Sequence, residues 1–222
     1  SHTGRTNMFE VNSKSKLALR YHDTSVLEQH HAAVAFKILK DKDKNILAGV
    51  SEDDYKKLRK DIIHNILCTD MKEHAELSKS FKDLHQRIQE VGAKNFGWDT
   101  TDIRTFTGML LHCADLSGTT KDFNIAYSWS LKINQEFTNQ VRDEEKYGLP
   151  ITPWYKDLDK KHIMAKQEIS FITFVIKPMW EAFNEFVGGE CDEQVQNLGK
   201  NLQEWEKIRE QALKEAGEEA SK

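Results

Sequence analysis

Apolar residues recur every three or four positions along most of this chain, which is the spacing of one face of an α-helix. Runs of alternating β-branched and polar residues are absent, and the chain contains three prolines. The pattern therefore predicts an all-α protein. We expect helices at about 25–39, 51–69, 71–91, 98–115, 123–146, 161–187 and 191–216, an irregular segment at about 1–24 and a surface loop at about 147–161.

Capping residues stand at several of these predicted ends. Ser25 is expected to cap the first long helix, and Ser51-Glu52-Asp53-Asp54 resembles a capping box. Gly92 is expected to end a helix, because glycine tolerates the left-handed conformation found at many helix ends. Pro178 is expected to kink its helix.

The predicted helix over 123–146 has an apolar stripe with a spacing of four residues. Such a stripe is typical of a buried helix face. We therefore expect these side chains to face the core: Trp129, Ile133, Phe137 and Val141.

Composition narrows the class of protein. Charged residues make up 31% of the chain and hydrophobic residues 38%, with a net charge of −4, as in a globular domain with a solvated surface. The chain lacks the basic patch that would predict nucleic-acid binding. It also lacks the run of about 18 apolar residues that would predict a membrane span. Because Cys68, Cys113 and Cys191 are scattered, no disulfide framework is predicted, which favours a reducing, cytoplasmic location.

The segment His112 to Ser117 follows an apolar helical run and carries the first candidate chemistry. His112 and Asp115 lie three residues apart and share a helix face. A carboxylate at the buried end of such a helix is costly unless it is paired or binds a metal. Two interpretations remain at this point: Asp115 ligates a metal, or it caps the following turn.

Other polar residues stand near apolar positions, and their types suit zinc or a zinc and magnesium pair. Glu28 precedes the tandem His30-His31, of which at most one can face inward. Asp70 is equally well explained as a helix cap, and Glu168 stands three residues before Phe171. None of these residues is convincing alone.

Several segments together resemble one family, the class I 3′,5′-cyclic nucleotide phosphodiesterases. They occur in the family's order and with its spacing across about residues 1–187. Coincidence does not explain so many ordered matches. The matching segments are His2-Thr3-Gly4-Arg5-Thr6-Asn7, Ser25-Val26-Leu27-Glu28-Gln29-His30-His31, Thr69-Asp70-Met71 with His74, His112-Cys113-Ala114-Asp115-Leu116-Ser117, and Phe171 to Trp180.

The resemblance implies a multi-helix catalytic domain, here without its N-terminal helices, with two divalent metals, zinc and magnesium or manganese. It also implies that cAMP or cGMP is the ligand and is hydrolysed to the 5′-monophosphate. By position, Asp115 resembles a metal ligand, and Phe171 the aromatic that stacks on the purine. Residues that resemble holders of metal-bound water are His2, Glu28 and Thr69. Residues that resemble pocket walls are Met71, Leu116, Ile133 and Phe137. Residues expected to be structural are His30, His31 and His112.

The family's metal ligands are only partly matched in this chain. Its leaving-group His, two metal-binding His and the metal-bridging Asp lie before the residue that matches His2, outside these 222 residues. A catalytic zinc takes three protein ligands, and Asp115 is one. We therefore expect this chain alone to be inactive, as a fragment, as one part of a shared site, or as a degenerate relative.

The purine-binding position also departs from the family. The family has Gln three residues before the stacking aromatic, where this chain has Glu168. An ionised Glu only accepts hydrogen bonds. It can therefore accept one from the adenine amino group, but it cannot donate to the adjacent ring nitrogen, which is also an acceptor. Gln167 is turned away by about 100° on a helix and does not substitute.

Two functions compete on this sequence. One is a cyclic nucleotide phosphodiesterase, with its catalytic domain over 1–190 and a C-terminal helix and charged tail over 191–222. The other is a non-catalytic relative that serves as a scaffold or interaction module. The last helix and the segment 143–161 are candidate surfaces for a protein partner or a larger assembly.

Overall fold

The protein is helical throughout the part that its computed structural model describes, which is residues 1–220, with side chains to residue 217. No β-strand occurs in that range, so the all-α prediction is confirmed. The same range holds no helix with the length and apolar character needed to cross a membrane. The helices are α1 (Asn7–Asn12), α2 (Lys16–Tyr21), α3 (Val26–Leu39), α4 (Glu52–Leu67), α5 (His74–Val91), α6 (Thr100–Asp115), α7 (Phe123–Tyr147), α8 (Lys161–Phe171), α9 (Lys177–Phe186) and α10 (Asp192–Ala220).

The chain forms two compact units, an N-terminal unit Ser1–Asp115 and a C-terminal unit Leu116–Lys222. The first contains α1 to α6 and the second α7 to α10. The predicted boundary after residue 190 stays a prediction.

The first 24 residues are more regular than their composition indicates. Two short helices, α1 and α2, form where an irregular segment was expected. Thr6 Oγ1 accepts a hydrogen bond from Phe9 N at 3.3 Å, and Ser15 Oγ accepts one from Ala18 N at 3.1 Å. The Ser and Thr residues that suggested irregular structure are helix caps, which satisfy the free N–H groups of a first turn.

In the N-terminal unit, α6 packs against α4 and α5, and α3 packs against α4. Gly108 of α6 lies close to Cys68, which follows α4, since a Cβ there would lie 2.9 Å from Cys68 Sγ. A larger residue at this position would force the Cys68 side chain or its surroundings to shift. The apolar side chains buried in this unit include Val26, Leu27, Phe36, Leu77, Phe81, Leu84 and Met109.

In the C-terminal unit, α10 packs mainly along α8. Between α8 and α9 the chain makes a π-helical segment, Ile172–Ile176. Pro178 follows at the start of α9. Proline lacks an N–H and its ring clashes with the carbonyl four residues earlier, so the wider turn before it is the structural response to Pro178.

The prediction that the apolar stripe of α7 faces the core is wrong for two of its four residues. Trp129 is 51% exposed and Ile133 is 46% exposed. The buried residues of α7 are instead mostly polar: Ala126, Ser130, Asn134, Gln140 and Glu144. Hydrogen bonds from Asn134 to Glu168 and from Thr152 to Glu144 satisfy part of these polar groups, which makes their burial tolerable.

The segment between α7 and α8 is a loop, but it is anchored rather than free. Gly148, with φ of 64°, ends α7. The loop contains a short 3₁₀ turn, Pro153–Tyr155, and buries Thr152 and Leu158. Glu144 Oε2 accepts a hydrogen bond from Thr152 N at 2.8 Å, and Oε1 accepts one from Thr152 Oγ1 at 2.8 Å.

Candidate active site

Asn7, the first residue of α1, joins several parts of the N-terminal unit. Its Oδ1 accepts a hydrogen bond from Leu27 N at 2.8 Å, in the first turn of α3. Its Nδ2 donates to Glu28 Oε2 at 2.9 Å and to Asp70 Oδ2 at 3.4 Å. One amide therefore holds two carboxylates close together.

Ser25 does not provide the side-chain cap that its sequence position predicts. It has a left-handed φ of 42° and makes no side-chain capping bond. Asn7, 20 residues before Leu27 in the chain, supplies the missing acceptor to the first turn of α3.

Glu28 lies in a cluster of negative charge. Burial raises its pKa, and the charges of Asp70 and Asp115 raise it further, while the hydrogen bond from Asn7 opposes the shift. Asp115, at the end of α6, is therefore one of the charges that act on Glu28.

Asp115 is the last residue of α6, and its side chain keeps contact with solvent. The protein around the carboxyl still raises its pKa by desolvation, and His2 acts in the opposite direction. Asp115 is thus crowded on one side and open on the other. A ligand can reach a carboxylate placed in this way.

The other histidines near this cluster have protein partners. His31 Nδ1 lies 2.8 Å from Ser1 Oγ, and the rings of His31 and His2 are 6.4 Å apart. His112 is fully buried, and its Nε2 lies 3.0 Å from His74 Nδ1. Burial and the neighbouring His74 lower the pKa of His112 to about 4. The structural role expected for His112 stays a prediction.

These residues fit part of a metal site. Carboxylate oxygen is a ligand that zinc and magnesium both accept, and Asp115 offers one beside Glu28 and His2. Within residues 1–220, however, no group of three or more His, Cys, Asp or Glu side chains is arranged to hold an ion.

The C-terminal unit holds a second candidate cluster around Glu168 of α8. Glu168 is 8% exposed, and Asn134 Nδ2 of α7 donates to its Oε1 at 3.4 Å. Burial raises the pKa of Glu168, and hydrogen bonds from Ser130 and Asn134 oppose that shift. Asn134 Nδ2 also donates to Ser130 O at 2.8 Å.

Aromatic residues stand one helical turn beyond this polar pair. Phe137 follows Asn134 on α7, and its ring stacks on Tyr155 with centroids 3.8 Å apart and planes 8° apart. Phe171 follows Glu168 and is the last residue of α8. Residues three positions apart share a helix face, so α7 and α8 each carry a polar and an aromatic residue on one face.

Residues 1–198 match the family model described as 3′5′-cyclic nucleotide phosphodiesterase. The chain belongs to this family.

Curated members of the phosphodiesterase family share about a third of their residues with this chain. The 3′,5′-cyclic-nucleotide phosphodiesterase regA of Dictyostelium discoideum is 35% identical over 207 residues, which are 93% of this chain and 25% of that protein. The human high affinity cGMP-specific 3′,5′-cyclic phosphodiesterase 9A is 33% identical, over 96% of this chain and 35% of that protein. The chain thus spans about a quarter to a third of the length of these relatives.

A solved phosphodiesterase domain has the same fold. The domain of the RhoPDE fusion protein from the choanoflagellate Salpingoeca rosetta matches with a TM-score of 0.86 and 35% identity. The match covers 96% of this chain and 66% of that domain's chain.

The residues that the sequence predicts for the phosphodiesterase site fall in both units. In the N-terminal unit, His2, Glu28 and Asp115 interact electrostatically. Thr69 donates its hydroxyl to Ile66 O at 2.7 Å, and Met71 is 43% exposed. The predicted residues of the C-terminal unit are Leu116, Ile133, Phe137, Glu168 and Phe171. Their roles stay predictions.

Sequence reasoning missed three residues that the structure places in these clusters. Asn7 is the last residue of the family-like segment that begins at His2. Its place in that segment was the one sequence feature that could have indicated a functional role. Asp70 was recognised as a cap, which it is, since its Oδ1 accepts from Lys72 N at 3.0 Å. Asn134 gave no signal, because a single Asn within a helical pattern predicts nothing about its burial.

Proposed function

We propose that this chain is part of the catalytic domain of a phosphodiesterase that hydrolyses cAMP or cGMP to the 5′-monophosphate. Family membership and relatives named for both nucleotides support the reaction class. The observation that carries the proposal is the cluster in which Asp115 and Glu28 interact, held by Asn7. Carboxylates placed together and reachable from solvent suit metal-assisted phosphate chemistry.

The proposed cofactors are zinc and magnesium or manganese. Such ions activate water and stabilise the charge that develops on a phosphate during hydrolysis. We assign Asp115 as one of their ligands, and we assign His2, Glu28 and Thr69 to the orientation of metal-bound water. Because Asn7 fixes Glu28 Oε2 at 2.9 Å, Glu28 is pre-positioned to accept a hydrogen bond from such a water.

Asp115→Asn in the full-length protein tests this assignment. The amide is nearly the same size but binds divalent ions more weakly than a carboxylate, so kcat/KM for cyclic nucleotides should fall about a hundredfold or more. Asp159→Asn is the matched control, because Asp159 is exposed in the loop after α7, and its turnover should equal that of the wild type. Equal turnover in all three proteins would reject the role of Asp115.

A second candidate function is a non-catalytic phosphodiesterase-like scaffold. Glu168 favours it, because a buried acceptor-only group is a poor partner for the adenine edge. A full-length protein that binds neither cyclic nucleotide at millimolar concentration would support the scaffold over the enzyme.

Cytoplasmic location and a protein partner or larger assembly are also proposals. Enzymes of intracellular second messengers act where the messenger is produced, and this expectation is the basis for the location. For a partner, α10 is a candidate surface because several of its side chains after Trp205 are exposed.

A further inference from the structure

Helix α10 binds the 3₁₀ turn Ser117–Thr120 through two buried asparagines. Asn201 is 1% exposed and Asn197 is 7% exposed. Asn201 Nδ2 donates hydrogen bonds to the backbone oxygens of Thr119 at 2.9 Å and Lys121 at 2.8 Å. Burying an amide is unfavourable unless it is hydrogen-bonded, and a short turn leaves carbonyl groups that need donors. The asparagines and the turn therefore satisfy each other.

The threonines of the turn connect these bonds to earlier residues. Thr119 Oγ1 donates to Leu116 O at 3.1 Å. The second threonine repeats the arrangement, because Thr120 O accepts from Asn197 Nδ2 at 3.1 Å while Thr120 Oγ1 donates to Ser117 O at 2.8 Å. Two Asn–Thr pairs thus connect α10 with the first two residues of the C-terminal unit.

Trp205 fixes α10 at the start of α7. It follows Asn201 by one helical turn and lies on the same face of α10. The Trp205 side chain is 1% exposed, and its ring centroid lies 5.6 Å from that of Phe123 and 5.4 Å from that of Tyr127. Helix α10 therefore holds both the turn and the first residues of the helix that follows the turn. This double attachment makes α10 a rigid support.

We propose that Asn197 and Asn201 are positioning residues, which hold Leu116 and Ser117 in place for the binding of a cyclic nucleotide. This inference rests on the proposed function and extends its site into α10. Leu116 is a predicted pocket wall, and Ser117 ends the family-like segment that begins at His112. Asn201 lies beyond residue 198, where the match to the family model ends. A binding residue is effective only when the groups behind it fix its position.

Asn201→Ala tests the proposal in the full-length protein, with the affinities for cGMP and cAMP measured by calorimetry. The change removes two hydrogen bonds from the turn and leaves the predicted pocket residues intact. Both affinities should fall about tenfold, as expected when an apolar side chain loses part of its contact with a ligand. KM should rise while kcat stays within about twofold of the wild-type value, because a pocket wall binds substrate and transition state alike.

Phe183→Leu separates positioning from a general loss of stability. Phe183 is buried in α9, and shortening a buried side chain leaves a cavity that lowers the melting temperature. The control should keep both affinities at the wild-type values. A control that weakens nucleotide binding as much as Asn201→Ala overturns the proposal.

Thr119→Val interrupts one Asn–Thr pair at a less buried position. It removes the hydroxyl that bonds Leu116 O at nearly constant side-chain size and leaves Thr119 O to Asn201. Both affinities should fall about threefold. The double variant Asn201→Ala/Thr119→Val should bind no more weakly than Asn201→Ala alone, because the two residues act through one connection.

The threonine variant keeps the proposal testable where Asn201→Ala does not fold. Wild-type affinities in Thr119→Val overturn the connection to Leu116. Effects that multiply in the double variant also overturn it, because they would show that the two residues act independently.

Turnover of both nucleotides by the same samples separates this inference from the proposed function. Hydrolysis by the wild type, with unchanged affinities in Asn201→Ala and Thr119→Val, overturns the inference and leaves the function. Weaker binding in both variants, with no hydrolysis by any sample, supports the inference and overturns the function. A wild-type protein that binds neither nucleotide overturns both.

Discussion

At the scale of single residues, Asn7 links a structural and a chemical task. Its carbonyl oxygen caps α3, and its amide nitrogen holds Glu28 beside Asp70. Because one side chain makes these contacts, the fold of α3 and the placement of the candidate water-holding Glu28 depend on the same residue.

Asn7→Ala should lower the free energy of unfolding by about 1–2 kcal/mol, the usual effect of removing a helix cap. Urea denaturation followed by circular dichroism measures this change. Ser25→Ala is the control, because Ser25 makes no side-chain capping bond, and it should leave stability nearly unchanged. A larger loss in Ser25→Ala than in Asn7→Ala would show that Asn7 is not the cap.

His112 predicts a loss of stability in mild acid. Its pKa falls from 6.5 to about 4 in the folded protein. Between these values the unfolded chain binds a proton that the folded chain does not, so stability decreases as pH falls. The decrease from pH about 7.5 to about 5 should be about 2 kcal/mol.

A non-titrating variant, His112→Gln, isolates this contribution. The carboxyls with raised pKa, Glu28, Asp115 and Glu168, act in the opposite direction as pH falls, and they are present in both proteins. The difference between the two stability curves over this pH window therefore reports His112. Parallel curves would contradict the assignment.

At the scale of elements, the end of α7 and the following loop are joined by Glu144. This carboxylate is fully buried and accepts hydrogen bonds from Gln140 Nε2 at 2.9 Å and from the backbone and side chain of Thr152. Three residues beyond Thr152, Tyr155 stacks on Phe137. Glu144 thus positions the loop that covers a predicted pocket wall.

Glu144→Ala should destabilise the protein by about 3 kcal/mol, because buried donors lose a charged acceptor. The Tyr155 phenol offers a local measurement, since burial and the charges of Glu144 and Glu136 raise its pKa to about 12. A spectroscopic titration of tyrosine should show that pKa falling in the variant. Glu145→Ala, at an exposed neighbouring position, should change neither quantity; an unchanged Tyr155 pKa in Glu144→Ala would reject the link.

Helix α7 shows which structural features the sequence pattern predicted and which it did not. The apolar spacing predicted α7 and nearly all of its length, because a helix repeat is a local property. It did not predict the buried face, since Asn134 and Glu144 form hydrogen bonds with residues outside the helix, Glu168 and Thr152. Local signals such as the Ser51 cap and Gly92 were confirmed, while the cap from Asn7 was missed because it comes from a distant segment.

At the scale of the whole molecule, the candidate residues are divided between the two units. The N-terminal unit holds the proposed metal ligand and water-orienting residues, and the C-terminal unit holds the predicted pocket residues Ile133, Phe137, Glu168 and Phe171. The ordered motifs identified the family from sequence, because they are matched by residue type and spacing. The polar environment of Glu168 required the structure, since it depends on a hydrogen bond from Asn134, which lies 34 residues earlier in the chain.

Metal-dependent turnover of cyclic nucleotides by the full-length protein is the most direct test of this account. The protein is treated with a chelator, and hydrolysis of cGMP and cAMP is measured by chromatography before and after zinc and magnesium are restored. The account predicts that turnover to the 5′-monophosphate is lost with the metals and returns with them. A metal-loaded protein that forms no 5′-monophosphate from either nucleotide would contradict it.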